Sequence, residues 1–252
     1  MKRQLSYKFL VLLIGAFIIS GKISSQEKNS GPEILTTHQQ AEGTHLEIRF
    51  NKGMKHYYPL MAIWVEDMEG RYKHLLYVAR SIGKGIFSHA EYKQGKWEPG
   101  EKLVPAALPY WSHKRNIPGP DSLYIPTPEN PITDAYTGAT PTGNFILKSI
   151  VADSIGPRFR ILFEINQPWD WNQHWYNNKY PGNKEYLKSG QPALVYEANI
   201  DLNNSVTEYT MKPVGHSHPY GATGELFKDL STLTSAINIA EQIIIKIDKS
   251  GQ

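Results

Sequence analysis

Eight stretches of this chain alternate or cluster apolar residues over seven to ten positions and then stop at turn residues, a pattern that leaves little room for long helices. In THLEIRF, Leu46, Ile48 and Phe50 share one face, and in LMAIWVED, Met61, Ile63 and Val65 oppose Leu60, Ala62 and Trp64. Successive side chains of a strand point to opposite faces, so a period of two marks a strand with at least one buried face. HLLYVAR, NFILKSIV, FRILFEIN, ALVYEANIDL, EYTMKPV and EQIIIKID follow, rich in β-branched and aromatic residues. Glu66-Asp67-Met68-Glu69-Gly70 reads as the turn of a hairpin between the second and third of these strands. The pattern predicts a mainly β protein, an antiparallel immunoglobulin-like β-sandwich. LFKDLSTLTSAINIAEQ is the best helix candidate.

The central third differs. Between residues 102 and 142 stand Pro105, Pro109, Pro118, Pro120, Pro126, Pro128, Pro131 and Pro141. Proline lacks the N–H that a ladder needs, which excludes inner strands here. Leu108, Tyr110, Trp111, Ile117, Leu123, Tyr124 and Ile125 nevertheless supply enough apolar surface to pack. The segment therefore reads as a long proline-rich crossover loop, ordered but largely without regular structure.

Lys2, Arg3 and Lys8 precede a 12-residue apolar run from Phe9 to Ser20, and small polar residues come next. That order is a secretory signal, and the run is shorter than the roughly 20 residues of a membrane span. Cleavage is expected after Ser25, which leaves no stable membrane span and places the protein in the periplasm or cell envelope. The resulting division is a signal peptide over 1–25, a polar leader over 26–43 and one β-sandwich domain over 44–252 with an irregular insert at 102–142. Four of the 27 basic residues (Lys2, Arg3, Lys8 and Lys22) belong to the signal peptide, so 23 remain against 24 acidic ones. A near-neutral mature chain gives no reason to expect nucleic acid as a partner. The absence of cysteine excludes disulfides, thiolate metal sites, a cysteine nucleophile and a lipid-modified cysteine.

DAYTGATPTG, Asp134 to Gly143, crowds three threonines around two glycines. Gly138 and Gly143 have access to backbone angles closed to other residues, Ala139 keeps the loop slim, and Thr137 and Thr140 present hydroxyls. Asp134, six residues before Thr140, is placed to cap the turn or to accept a proton or a metal. Read from the residues alone, this is a capped turn or a loop that a bulky partner approaches closely.

DAYTGAT resembles the flavinylation motif of exported redox proteins, Asp-x-x-Ser/Thr-Gly-Ala-Ser/Thr, whose last hydroxyl carries flavin mononucleotide (FMN) as a phosphoester. Asp134, Thr137, Gly138, Ala139 and Thr140 match every specified position. A match by chance occurs in roughly one chain of this length in a thousand. Together with YYPLMAIWVEDMEGRYKHLLYVAR near the front, the chain is similar to a family of predicted periplasmic proteins, domain of unknown function family 2271, whose genes often lie near flavin transferases. The resemblance spans most of residues 44 to 248. The family tends to follow the motif with arginine and proline, whereas Pro141-Thr142-Gly143 stand here. What the resemblance implies is an exported redox accessory or electron carrier with FMN covalently held on Thr140. Its partners would be a magnesium-using flavin transferase, which Asp134 would help to position the acceptor or its metal, and a membrane or periplasmic redox protein.

Two further clusters carry weaker signals. FEINQPWDWNQHWYNNKY sets Trp169, Trp171 and Trp175 among amides, as a cap on one end of the sandwich, a cover for a flavin's face, or a sugar platform. The last of these makes a non-enzymatic envelope module, binding carbohydrate or protein through a Trp-rich loop, the alternative function. GHSHPYGATG places His216 and His218 two apart, on one side of an extended strand, as a metal pair that Asp170, His174 or Glu225 would complete, a weak signal because zinc sites usually need a third or fourth ligand. It also repeats Gly-Ala-Thr at 221–223, without the acid. A hydrolase built on Asp134, His216, His218 and Glu225 finds no nucleophile elbow or zinc-helix motif in support.

Overall fold

The computed structural model describes residues 31–38, 41–119 and 122–249, so the expected signal peptide and residues 26–30 of the expected leader lie outside the described residues. Along the chain run β1 (Glu33–Thr36), β2 (Gly43–Lys52), β3 (Leu60–Glu66), β4 (Tyr72–Ala79) and the short helix α1 (Arg80–Lys84). Then come β5 (Ile86–Lys93), β6 (Lys96–Glu101), helix α2 (Pro109–Arg115), β7 (Thr137–Gly138), β8 (Phe145–Ala152) and β9 (Arg158–Asn166). The last strands are β10 (Leu194–Asp201), β11 (Glu208–Thr210), β12 (Lys212–His216) and β13 (Ala240–Ile247). The protein is mainly β. One sheet has the order β1-β8-β2-β13-β11, a second β12-β10-β9-β3-β4-β7, and β5 and β6 form a separate two-stranded ribbon.

The two large sheets share one core. Leu46, Ile48, Phe50, Phe145 and Leu147 of the first meet Met61, Ile63, Phe159, Ile161 and Phe163 of the second, all buried in a single cluster. Phe50 stacks on Phe145 at 4.8 Å and tilts against Phe163 at 5.8 Å, which joins the layers through aromatic contact. The period-two faces of β2 and β3 are thus the inward faces. Pairing is antiparallel except at two edges, where β1 runs parallel to β8 and β7 parallel to β4.

Several expectations need correction. Residues 33–36, assigned to the polar leader, form β1 on the edge of β8. EYTMKPV is two strands. The chain crosses from one sheet to the other at Met211, whose buried side chain anchors the crossing and whose N–H bonds Ile243 O at 2.9 Å. The helix candidate at 226–242 supplies only a single 3-10 turn, Ala236–Asn238. Its backbone is drawn instead to Gln191, whose Oε1 accepts from Thr234 N at 2.6 Å, and to Asn172, which donates to Thr232 O at 2.9 Å.

Within the proline-rich segment the regular elements are α2, the 3-10 turn Asp134–Tyr136 and β7, and its other described residues lie outside helices and strands. Pro109 opens α2 at the position where a missing N–H costs nothing, and the helix lies on the outer face of the second sheet. There Trp111, Leu108 and Tyr110 pack on Ala62, Trp64, Leu162 and Val195. Glu164, fully buried on β9, accepts the N–H groups of Tyr110 at 3.2 Å and Trp111 at 2.7 Å, two of the unpaired donors with which every helix begins. Around it, Glu66 accepts from Trp64 Nε1 at 2.9 Å and pairs with Arg160, and Lys114 of α2 donates to Gly70 O at 2.9 Å in the β3–β4 turn.

Burial pushes the Glu164 carboxyl up to about 8, against the pull of the two N–H donors. The folded state therefore keeps this proton to a higher pH than the unfolded chain, and stability is lost as the pH rises from about 4.5 toward 8. Four histidines act in the opposite direction and below their ordinary value of 6.5, because desolvation lowers His56, His74, His216 and His218. The histidines are common to the wild type and a Glu164→Gln variant, so the difference between the two isolates Glu164. From pH 6.5 to 8.5 the wild-type chain should lose on the order of 1–2 kcal/mol relative to Glu164→Gln in denaturant titrations. Equal slopes for the two proteins would contradict the assignment.

Candidate functional site

The motif folds as a 3-10 turn, Asp134–Tyr136, followed by β7, which adds to the edge of β4 with Thr137 opposite Val78 and Gly138 opposite Ala79. Two residues outside the motif hold it. Lys84, just beyond the end of β4, reaches the Asp134 carboxylate at 2.9 Å and donates to Ile132 O at 2.7 Å. Its ammonium holds Asp134 below the usual carboxylate value although the acid side chain is 83% exposed. Tyr77, buried in the core, donates its hydroxyl to Ala139 O at 2.8 Å.

The three hydroxyls fare differently. Thr137 is buried and its Oγ1 has no partner, while its methyl group packs beside Gly83, where an added Cβ would lie 2.9 Å away. Thr140 keeps part of its surface in solvent, Ala139 and Thr142 are exposed, and Pro141 is buried. Among the described residues the Thr140 hydroxyl has no hydrogen-bond partner, so none of them competes for its lone pairs or its proton.

Neither glycine of the motif uses the backbone freedom that the sequence-based expectation assigned to it, and only Gly138 is required for space. Neither Gly138 nor Gly143 has a positive φ. A Cβ on Gly138 would come within 2.8 Å of the Tyr77 ring, so the bare backbone lets β7 lie flat against a core tyrosine. The second Gly-Ala-Thr differs. Gly221 has φ 79° and sits in a turn against Pro105 O.

The Trp-rich connection between β9 and β10 lies at the same end of the sheet as Thr140. β7 runs parallel to β4, so the chain leaves it where β3 begins and β9 ends. Yet β3 and β4 stand between, a separation of three strand spacings or roughly 14 Å. Trp171 meets Tyr186 edge-on at 5.5 Å against the core, and Trp175 is buried and donates to Thr232 Oγ1 at 3.1 Å. Only Trp169 is open, 64% exposed over a cleft of about 280 Å³ that contains no residue of the motif. Trp169 and Trp171 are thus not brought together with Thr140.

His216 and His218 do not share a strand face, because β12 ends at His216. His216 is buried between Trp175 and Phe227, with Nδ1 2.9 Å from Ser217 O, and His218 Nδ1 faces the N–H groups of Tyr220 and Ala222. Among the described residues no group of three or more His, Cys, Asp or Glu is arranged to hold a metal, and no helix is long and apolar enough to cross a membrane. Sequence reasoning missed Tyr77 and Lys84. Their distance along the chain hides both, although the inward period of HLLYVAR marks position 77 as a core residue.

Gly138→Ala should lower stability by about 2 kcal/mol in chemical denaturation, since Tyr77 is packed on all sides and cannot give way. Gly143→Ala, with open space around its position, should stay within about 0.5 kcal/mol. A Gly138→Ala protein as stable as wild type would remove the steric account of the motif glycine. No family profile matches the chain, and no curated protein is significantly similar to it.

Proposed function

We propose that this chain is an exported redox accessory or electron-carrier protein that takes FMN in phosphoester linkage on Thr140, carried on an immunoglobulin-like sandwich. The observation that supports this most directly is the sorting of the motif hydroxyls. Thr137 is buried, whereas Thr140 is accessible and unpartnered on a loop that leaves a sheet edge. A transferase must bring its own site to the acceptor, and an edge strand of two residues followed by Ala139 offers little bulk to obstruct it. In the transfer, Thr140 Oγ attacks the phosphorus on the FMN side of flavin adenine dinucleotide. The pyrophosphate bond breaks, adenosine monophosphate leaves and the hydroxyl proton passes to a base of the transferase. Thr142 is also exposed, and only its position relative to Gly138-Ala139 separates it from Thr140. Once attached, the flavin supplies the redox chemistry, and the protein supplies orientation and electrostatics.

A second reading rests on Trp169. An exposed indole over a cleft also suits a non-enzymatic envelope module that binds carbohydrate or protein.

Co-export with a flavin transferase decides the first reading. The mature chain should gain the mass of FMN less one water and fluoresce after denaturation. Thr140→Val should abolish the adduct. Thr137→Val should keep it and fold with equal or slightly greater stability, because it replaces a buried hydroxyl that has no partner. An unlabelled wild-type chain beside a control substrate that the same transferase labels would refute the proposal.

A further inference from the structure

We propose that the cleft beneath Trp169 is a binding site for a small planar anion, an aromatic carboxylate in the simplest case. It is bounded by the Trp-rich connection, the β5–β6 ribbon and the start of the crossover. Its volume of about 280 Å³ lies just below the usual range for ligand pockets and suits one or two fused rings. Tyr58, Phe87 and Trp169 provide flat apolar surface on its walls, and Tyr58 is 73% exposed where the cleft opens.

Charge and hydrogen bonding specify the rest. Lys102 holds its ammonium 5.9 Å from the centre of the Phe87 ring and has no ion pair among the described residues. Lys188 lines the same cleft, and its one carboxylate neighbour, Glu185, is 4.0 Å away. Burial lowers the Lys102 pKa and the nearby Lys188 lowers it further, with Glu185 offsetting part of this. Glu185 lines the cleft too and offsets Lys188, which leaves Lys102 without an ion pair among the described residues, and a ligand anion beside it would supply the missing partner. The hydroxyl of Ser189, also in the lining, is buried without a partner. A buried donor without an acceptor is costly, and a ligand oxygen would satisfy it. A neutral sugar would leave the Lys102 ammonium uncompensated.

Trp169 is positioned for this role at the expense of backbone strain. Its φ of 64° is left-handed, a conformation that a bulky residue keeps only where its surroundings impose it. Here its N–H bonds Lys188 O at 3.3 Å, and the next residue, Asp170, is bridged to Gly190, where an added Cβ would strike Asp170 O at 2.6 Å. The result is an indole turned toward the cleft, while Trp171 and Trp175 turn to the core. The site is independent of Thr140, since no residue from 134 to 143 lines it.

The test is calorimetric titration of the unmodified mature protein with 2-naphthoate, with 2-naphthol as the uncharged analogue and a cello-oligosaccharide as the sugar. Naphthoate should bind and quench tryptophan fluorescence, at least about tenfold more tightly than naphthol, as loss of a charge-assisted bond requires. Lys102→Met and Trp169→Ala should each weaken it by about tenfold or more, Lys102→Arg should retain it, and Thr140→Val should leave it unchanged. Circular dichroism establishes that each variant is folded. Failure of naphthoate to bind, equal affinity for naphthol, wild-type affinity in folded Lys102→Met, or binding of the oligosaccharide alone would overturn the proposal.

Discussion

The contact between the buried Glu164 carboxyl group and the N–H groups of Tyr110 and Trp111 determines how the outer face of the six-stranded sheet is closed. Each side needs the other. A carboxyl group on an inner strand, surrounded by Ala62, Trp64, Leu162 and Val195, must find donors or remain a costly unpaired polar group. A helix of seven residues is too short to persist alone, and its first N–H groups lack acceptors. Once they meet, Trp111 is completely buried, Arg115 lies 5.0 Å over its ring, and Lys114 fastens the helix to the β3–β4 turn. The crossover becomes a third layer over the second sheet.

That layer decides where the candidate sites stand. After crossing the sheet, the chain returns as β7 at the free edge of β4, held there by Tyr77 and Lys84, and then passes to β8 of the opposite sheet. Thr140 lies on this transfer between layers, a place where a loop is exposed although both its ends are fixed. The same crossover contributes Lys102, Val104, Ala106 and Ala107 to the cleft under Trp169, on the far side of β3 and β4. One segment therefore shapes two surfaces at one end of the protein. Their chemistry differs, a lone hydroxyl on a slim edge in one case and aromatic rings with two lysines in the other.

The inner strands were legible because each has a face that alternates without interruption. Leu46, Ile48 and Phe50, and Met61, Ile63 and Val65, form the shared core that their period implies. The second apolar face of β3, with Ala62 and Trp64, was equally visible, but its partner was not, because Pro109 reads as a breaker until it is seen to start α2. β1 has four residues and a parallel neighbour, too little for a periodic signal. The β5–β6 ribbon is largely exposed, with Tyr92 and Trp97 in solvent, so burial never imposed a pattern on it. In the motif, residue identities were readable and their reasons were not. Gly138 answers to Tyr77 and Asp134 to Lys84, contacts across 61 and 50 positions that no local spacing reveals.

Amide hydrogen exchange across residues 102–142 tests the role of the outer layer most directly. If Glu164 and the apolar face hold the crossover in place, the N–H groups of Tyr110 and Trp111 should be protected nearly as well as those of β3 and β9, with Ala139 and Thr142 exchanging quickly on the exposed loop. Glu164→Leu should strip the protection from α2 while leaving β2, β8 and β13 slow. Rapid exchange at Tyr110 and Trp111 in the wild-type protein would contradict the account, since the layer that sets the edge of β4 would then not be fixed.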